Sequence, residues 1–451
     1  MPTRREILAT ATGAAAALLT RGSHALAQET TAPATQPATP ENLGASAPLD
    51  LHATDAFGLN LHLDRFAPAL VTQQLARAKA MGVRWVRGVS AAWYYVQPKP
   101  DVRDYGRPDR ALELVEQAGM TAMGNFGNPP AWASRLDPNR VKGPWGMSLY
   151  PPDDLSLFEE HVRQTVTRYK GRISVWSPWN EPDSRHFFYK DPAPHFTGDE
   201  AAFLLVRRAA FMDIQRSAYR AAKEADPNCT VLSGGFAVGG TRTDKDFISW
   251  CIENGLMDHC DAIDLHMYWS CRNLRDTVGR ARKWMREAGT EKPVWMTEFG
   301  ASLREDKTWI GQFNHEQIQN FVPKALITSV AVGVEKLFWY QGYTDGSGPT
   351  PFAKSNYSLN VTDGPTPAAW AFSATTRMLA GARDVKVAEL TVSKGRARGY
   401  RATVPGGDLF IAWAEDASGE ENRAASAEVT FESPHGSLPL SLSERPTVLM
   451  F

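Results

Sequence analysis

From Asp55 to about residue 383 the sequence alternates short apolar runs with amphipathic runs eight times, and that rhythm leaves few folds open. The strand-like runs begin with Phe57-Gly58-Leu59-Asn60-Leu61-His62, then Val83 to Gly88, Thr121 to Phe126, and Arg172 to Val175 running into Trp176. Four more come after them: Thr230 to Gly235, Ala262 to Tyr268, Pro293 to Gly300, and Lys336 to Gln341. Helical spacing fills the intervals. Val71, Leu75 and Ala78 share one face of a helix predicted over 68–81, and Phe158, Val162, Thr165, Val166 and Tyr169 share a face over 155–170. Further helices are predicted over 108–118, 200–224, 244–256, 273–288, 314–332 and 366–380. Eight strand–helix units make a (β/α)8 TIM barrel, an α/β fold whose chemistry sits on the loops after the strands.

From about Asp384 the period drops to two. Runs at 385–390, 400–404, 409–413, 427–431, 438–442 and 447–451 alternate as half-buried strands of a small antiparallel β-sandwich. The expected division is a barrel over 51–383 and a sandwich domain over 384–451. The sandwich is expected to pack on the barrel, because so small a core is marginal alone and no Ser- or Gly-rich linker precedes it. The chain of 451 residues has room for both, since a barrel takes about 250.

The first 27 residues look like an export signal. Arg4-Arg5 precede a weakly apolar run, Ala9 to Leu19, and Ala25-Leu26-Ala27 offers a cleavage site, the twin-arginine pattern. A periplasmic or extracellular location is expected, with no membrane span in the mature protein, because the apolar run is too short and too rich in Ala to cross a bilayer. Residues 28–50, a Pro/Thr/Ala tract, read as a disordered linker. Cys229, Cys251, Cys260 and Cys271 fit no zinc spacing and read as buried thiols or at most one bridge, since twin-arginine substrates fold in a reducing cytosol. A net charge of -1 without a basic tract argues against a nucleic-acid partner. A monomer is expected.

Two of the eight strands end on a glutamate in a distinctive setting. Trp176-Ser177-Pro178-Trp179-Asn180-Glu181-Pro182-Asp183 holds one between indoles and prolines, where shielding from water raises a carboxyl pKa and keeps a proton available at neutral pH. Pro293-Val294-Trp295-Met296-Thr297-Glu298-Phe299-Gly300 holds the other. Two carboxyls at the ends of two barrel strands meet the requirement of glycoside hydrolysis, one group on each side of a sugar bond. In order and wording, Trp-Asn-Glu-Pro, His-x-Tyr (His266 to Tyr268) and Thr-Glu-Phe-Gly resemble clan A of the glycoside hydrolases. This is the retaining (β/α)8 group, and the nearest wording is that of family thirty-nine. The resemblance runs from about residue 55 to 382, with further likeness in the tail.

That resemblance implies a role for each matching residue. Glu298 becomes the nucleophile and Glu181 the acid/base. Arg87 and Tyr268 become donors around the nucleophile, and Asn180 a partner of the sugar 2-hydroxyl. His266 matches the sixth-strand histidine. Trp339 matches the eighth-strand tryptophan that floors the central subsite. Trp93, Trp132, Trp145 and Trp179 are further candidates for stacking on sugar faces. A carbohydrate substrate is implied, and neither a metal nor a cofactor, because no metal-ligand spacing or phosphate-binding loop accompanies the motifs. Long aromatic loops after strands two, three and four favour an open cleft and endo action on a β-linked poly- or oligosaccharide. An exo-acting glycosidase, a transglycosylase and a non-catalytic carbohydrate-binding barrel remain open alternatives, although the last would be expected to have lost one glutamate.

Overall fold

The computed structural model describes residues 53–451 apart from 65, 135–148, 190–197, 240–242, 304–312, 344–357, 362–363 and 434. The expected signal segment, the linker and Trp145 lie outside the described residues. Strands β1 (Phe57–Asn60), β2 (Trp85–Ser90), β3 (Thr121–Asn125) and β4 (Val175–Ser177) pair in parallel, in chain order. β6 (Ile263–Tyr268), β7 (Val294–Gly300) and β8 (Val334–Trp339) continue the sheet, and β8 returns to pair with β1. The ring closes through β5, which is split into Thr230–Val231 beside β4 and Phe236–Ala237 beside β6. Single bridges from Leu232 to Ala262 and from Asn180 to Gly235 close the seam between the pieces. The sequence rhythm placed strand five at 230–235, and the structure carries it on to Ala237.

Among the described residues, eight helices of seven residues or more surround the ring: α1 (Pro68–Ala80), α2 (Gly106–Gln117), α3 (Leu155–Tyr169), α4 (Glu200–Ala225), α5 (Phe247–Glu253), α6 (Cys271–Glu287), α7 (His315–Ala331) and α8 (Pro367–Met378). Their starts are written locally. Proline opens α1 and α8, and the side chains of Asp154, Asp199 and Ser270 cap α3, α4 and α6. Asn314 and Gln317 form a reciprocal capping box on α7. Among the described residues no helix is long and apolar enough to cross a membrane.

Alternation along the strands sorts side chains into two layers. Met123, Val175, Leu232, Ala262, Trp295 and Phe338 fill the inside of the barrel, while the large outer core between sheet and helices takes Trp176, Phe299 and Trp339. The alternation breaks once between β6 and β7. Asp264 pairs with Trp295 and His266 with Glu298, so a step of two residues along β6 is matched by a step of three along β7. The extra residue is a bulge. It lets Thr297 and Glu298, adjacent in sequence, both reach groups inside the ring.

The C-terminal region is a sandwich of two antiparallel sheets. β9 (Arg383–Val387), β11 (Arg396–Val404), β12 (Gly407–Glu415) and β15 (Thr447–Met450) form one, in the order β9-β11-β12-β15. β10 (Leu390–Lys394), β13 (Ser426–Ser433) and β14 (Gly436–Ser443) form the other. The single run expected over 385–390 is thus the junction of two strands in different sheets. Strand β12 is apolar on both sides because it serves two cores. Phe410, Ala412 and Ala414 point into the sandwich, whereas Leu409, Ile411 and Trp413 join the barrel's outer core. Polar contacts reinforce the join. The buried carboxylate of Glu421 accepts the Cys271 backbone N–H at 2.6 Å, at the first turn of α6, and Lys324 Nζ donates to the Glu421 carbonyl.

Glu421→Ala removes the acceptor from a buried backbone N–H and a negative charge from a helix N-terminus. A loss of about 1–3 kcal/mol is expected. Urea denaturation followed by circular dichroism is expected to show a lower midpoint at unchanged slope. A midpoint equal to wild type would mean that the Glu421 carboxylate adds nothing to the hold of the sandwich on the barrel.

Candidate active site

Glu298 lies near the C-terminal end of β7, inside the ring, and its side chain keeps only 11% of its exposure. Burying a carboxylate is costly unless donors replace the lost water, and the barrel supplies them. Arg87, from β2, donates through Nη1 to Oε1, and Tyr268, from β6, donates through its hydroxyl to Oε2 at 2.5 Å. Arg87 is itself pinned: Nη1 also reaches Asn60 Oδ1 at 3.0 Å, and Nη2 reaches Asn180 Oδ1 at 2.7 Å. Burial would raise the Glu298 pKa, but His266, Arg87 and Tyr268 outweigh it and bring the group down to about 2. Since burial lowers His266 to about 3, that ring is neutral at ordinary pH, and the anion then rests on Arg87 and Tyr268. Burial also opposes the charge of Arg87, but Glu298 and Asp264 more than offset it, so the guanidinium stays charged.

Glu181 lies in the loop after β4, and its surroundings push the other way. Burial, the Glu298 charge and Asp183 together raise its pKa well above the usual carboxylate value. Its backbone adopts φ 51°, a left-handed conformation that costs a non-glycine residue about 1–3 kcal/mol and clusters at functional sites. The Glu181 N–H is held by the Gly235 carbonyl at 2.7 Å. One oxygen of Glu181, one nitrogen of His266 and one oxygen of Glu298 all lie within 4.8 Å of one another. Those three groups have the donor types to ligate a cation, but the Arg87 guanidinium already neutralises Glu298 at that point.

His266 joins the two carboxyls to the barrel wall. Its side chain is fully buried, with Nδ1 3.1 Å from Glu181 Oε1 and 3.7 Å from Glu298 Oε1. Nε2 lies 2.9 Å from Thr297 Oγ1, and that hydroxyl donates to Asp264 Oδ2 at 2.7 Å. Space for the ring comes from Gly235, where a Cβ would sit 2.2 Å from Nε2.

The structure therefore gathers Arg87, Asn180, Glu181, His266, Tyr268 and Glu298 in one place. It does not gather the tryptophans. Trp339 is fully buried and pairs with Phe299 in register, so both point outward. Its ring packs 6.0 Å from Phe299 and 6.2 Å from both Phe321 and Phe372. The next residue, Tyr340, turns inward instead, with its ring edge-to-face on Tyr268 at 6.1 Å and its hydroxyl 3.4 Å from His62 Nε2. Trp93 is likewise fully buried, stacked on His161 with its Nε1 donating to Gln97, which leaves no ring face for a sugar. Trp179 is buried against Phe188. Trp132 covers Trp93 edge-on and stays half-buried, so it keeps some surface toward solvent. The sequence reading missed Asn60, Gly235, Asp264, Thr297 and Tyr340. Strand parity would have found two of them: Asp264 stands two before His266, and Tyr340 falls on the opposite face from the residue that was chosen.

Gly235→Ala is expected to push the His266 ring off its place between Glu181 and Thr297. A shift of about 1 Å at such a centre costs on the order of 10²-fold in rate. Turnover is expected to fall by that order with the circular dichroism spectrum retained; a variant of wild-type activity would show that the ring position is not critical.

Comparison with known proteins agrees with this architecture. Residues 179–372 match the family model described as glycosyl hydrolase catalytic core. A β-1,4-xylanase of Dictyoglomus thermophilum is 24% identical over 224 residues, which cover 48% of this chain and 56% of that protein, so the chain spans little more than half the length of this relative. A family 39 glycoside hydrolase from Bacteroides cellulosilyticus superposes with TM-score 0.62 at 17% identity, over 89% of this chain and 82% of that one. A family 39 β-xylosidase from Caulobacter crescentus gives 0.57 at 17% identity, over 82% and 79%. The structural likenesses are likenesses of fold. Together with the family-model match over residues 179–372, they agree with the resemblance read from three short motifs, and the fold they share with this chain is the (β/α)8 barrel.

Proposed function

We propose that this protein is a retaining glycosidase that cleaves β-linked carbohydrate through a covalent glycosyl-enzyme. The observation that carries the reading is the opposed tuning of two carboxyls whose oxygens approach within 4.8 Å. Retaining enzymes hold their carboxyls about 5–5.5 Å apart, whereas inverting ones leave about 6.5–9.5 Å for a water. In this reading Glu298, ionised and held by Arg87 and Tyr268, attacks the anomeric carbon. Glu181 gives its proton to the departing oxygen and then, as a carboxylate, takes a proton from the water that cleaves the intermediate. Asn180, fixed by Arg87, faces the same space and is suited to a sugar hydroxyl.

A xylanase and a xylosidase stand among the relatives, so xylan and aryl β-xylosides lead the substrate panel. Endo action belongs to the same proposal. Its aromatic support now rests on Trp132, because Trp93 and Trp179 are buried. We also propose export by the twin-arginine route, supported by Arg4-Arg5 and by four cysteines that are all free and buried, as suits folding in a reducing compartment.

Glu298→Ala is expected to abolish turnover while keeping the fold and glycan affinity, at a stability cost of about 3–5 kcal/mol because Arg87 loses its buried charge partner. Glu181→Ala is expected to lose most activity on substrates with poor leaving groups but to keep forming the intermediate from aryl glycosides with good ones, which need little acid help. In wild type, kcat/KM is expected to be bell-shaped in pH. Its acid limb, set by ionisation of Glu298, lies far below its alkaline limb, set by deprotonation of Glu181. Steady-state kinetics on a leaving-group series checks all three. Equal losses on good and poor leaving groups in Glu181→Ala would remove the acid role.

A further inference from the structure

Behind His266 lies a hydrogen-bonded chain that ends on a carboxylate with no place in the reaction of Glu181 and Glu298. Asp264 is fully buried and two residues before His266 on the same face of β6. It accepts the Thr297 backbone N–H on Oδ1 at 3.0 Å and the Thr297 hydroxyl on Oδ2 at 2.7 Å. Thr297 stands two residues after Trp295 on the inner face, and the bulge in β7 turns Glu298 inward beside it. We propose that Asp264 and Thr297 are positioning residues that fix the tautomer of His266, and through it hold the proton on Glu181. The proposal rests on the retaining-glycosidase reading for its kinetic consequences, but not for its structural one.

Counting donors leaves two arrangements of the protons. A threonine hydroxyl has one proton and an uncharged imidazole has one N–H. With Asp264 ionised, the hydroxyl proton points to Asp264, so Thr297 Oγ1 meets His266 as an acceptor. The imidazole proton then sits on Nε2, and Nδ1 faces Glu181 as a bare lone pair. Glu181 completes that contact only by donating, which requires its carboxyl to be protonated. Running the chain in reverse keeps the same number of protons. Asp264 then donates to Thr297, Thr297 to Nε2, and Nδ1–H to an ionised Glu181. The surroundings select the first arrangement. Burial raises both carboxyls, Asp264 to about 7, but Asp264 has the Thr297 hydroxyl, Arg87 and the fixed Thr297 N–H to favour its charge, with only Glu298 against it. Glu181 faces the Glu298 carboxylate and Asp183, with Arg87 beyond, so a second negative charge is less favourable there.

Asp264→Asn turns the chain around with little change of shape. The amide oxygen must accept the Thr297 N–H, so the amide nitrogen donates to Thr297 Oγ1. The hydroxyl then donates to Nε2, and Nδ1–H faces Glu181 and favours its carboxylate. The alkaline limb of kcat/KM is therefore expected to move down by about one pH unit or more, which is about a tenfold loss above it. The loss is expected to be larger for poor leaving groups than for good ones. Thr297→Val breaks the chain, and Thr297→Ser is expected to bring the limb back toward its wild-type position. The direct reading is nitrogen-15 NMR of His266 in the free wild-type protein, which is independent of any turnover. Nε2–H with a bare Nδ1 is expected, switching to Nδ1–H in Asp264→Asn. Finding Nδ1–H in wild type overturns the proposal, as does an alkaline limb that Asp264→Asn and Thr297→Val leave in place. If Glu298→Ala were active, the glycosidase reading would fail while the tautomer measurement still judged the relay.

Discussion

The contact between Arg87 and Glu298 is the interaction on which the rest of the site depends. A carboxylate that is mostly buried inside a barrel is tolerated only when fixed donors replace its water, and a guanidinium that is equally enclosed needs the carboxylate in turn. Asn60 and Asn180 hold that guanidinium from β1 and from the loop after β4, and Tyr268 holds the carboxylate from β6. Four strands of the ring must therefore be in register before the charge is stable. The same charge sets the character of its neighbour, because a second carboxylate so close resists ionising. One buried anion thus sets two residues of the same type to opposite protonation, one ionised and the other protonated.

Much of this was legible in the sequence, and the reasons are physical. Strand–helix alternation survives in apolar periodicity, so the barrel could be read from it; the two glutamates stood out because each closes an apolar run. Asn180, His266 and Tyr268 were found through the wording of short motifs, and Arg87 through its place at the end of the second strand. Trp339 shows where that kind of reading failed. A tryptophan at a strand end was matched by type, while the face it occupies depends on register with Phe299, which only the paired strands reveal. Trp93 was misjudged for a related reason: an aromatic on a loop can fold back onto a helix, here onto His161, and serve the core. Thr297 was invisible for a third reason. Strict alternation puts it on the opposite side from Glu298, and the bulge that lets both reach the interior leaves no mark in composition.

The strain and the irregularities gather at the mouth of the barrel. Glu181 has a left-handed backbone, β5 is interrupted beside it, and Gly235 in that interruption gives His266 its space. The opposite end of the ring is filled by large apolar side chains such as Trp295 and Phe338. The sandwich adds a second apolar face behind α6 and α7, so the helices that follow β6 and precede β8 are braced from outside. Stability is concentrated away from the chemistry, which is how a fold can carry a locally costly site.

The most direct test of the account is the configuration of the first-formed product. Proton NMR during early turnover of a β-linked substrate distinguishes the two anomers before they interconvert. Double displacement through Glu298 predicts that the β configuration appears first. An α product appearing first would mean that water attacks directly, and would contradict the account even if both glutamates proved indispensable.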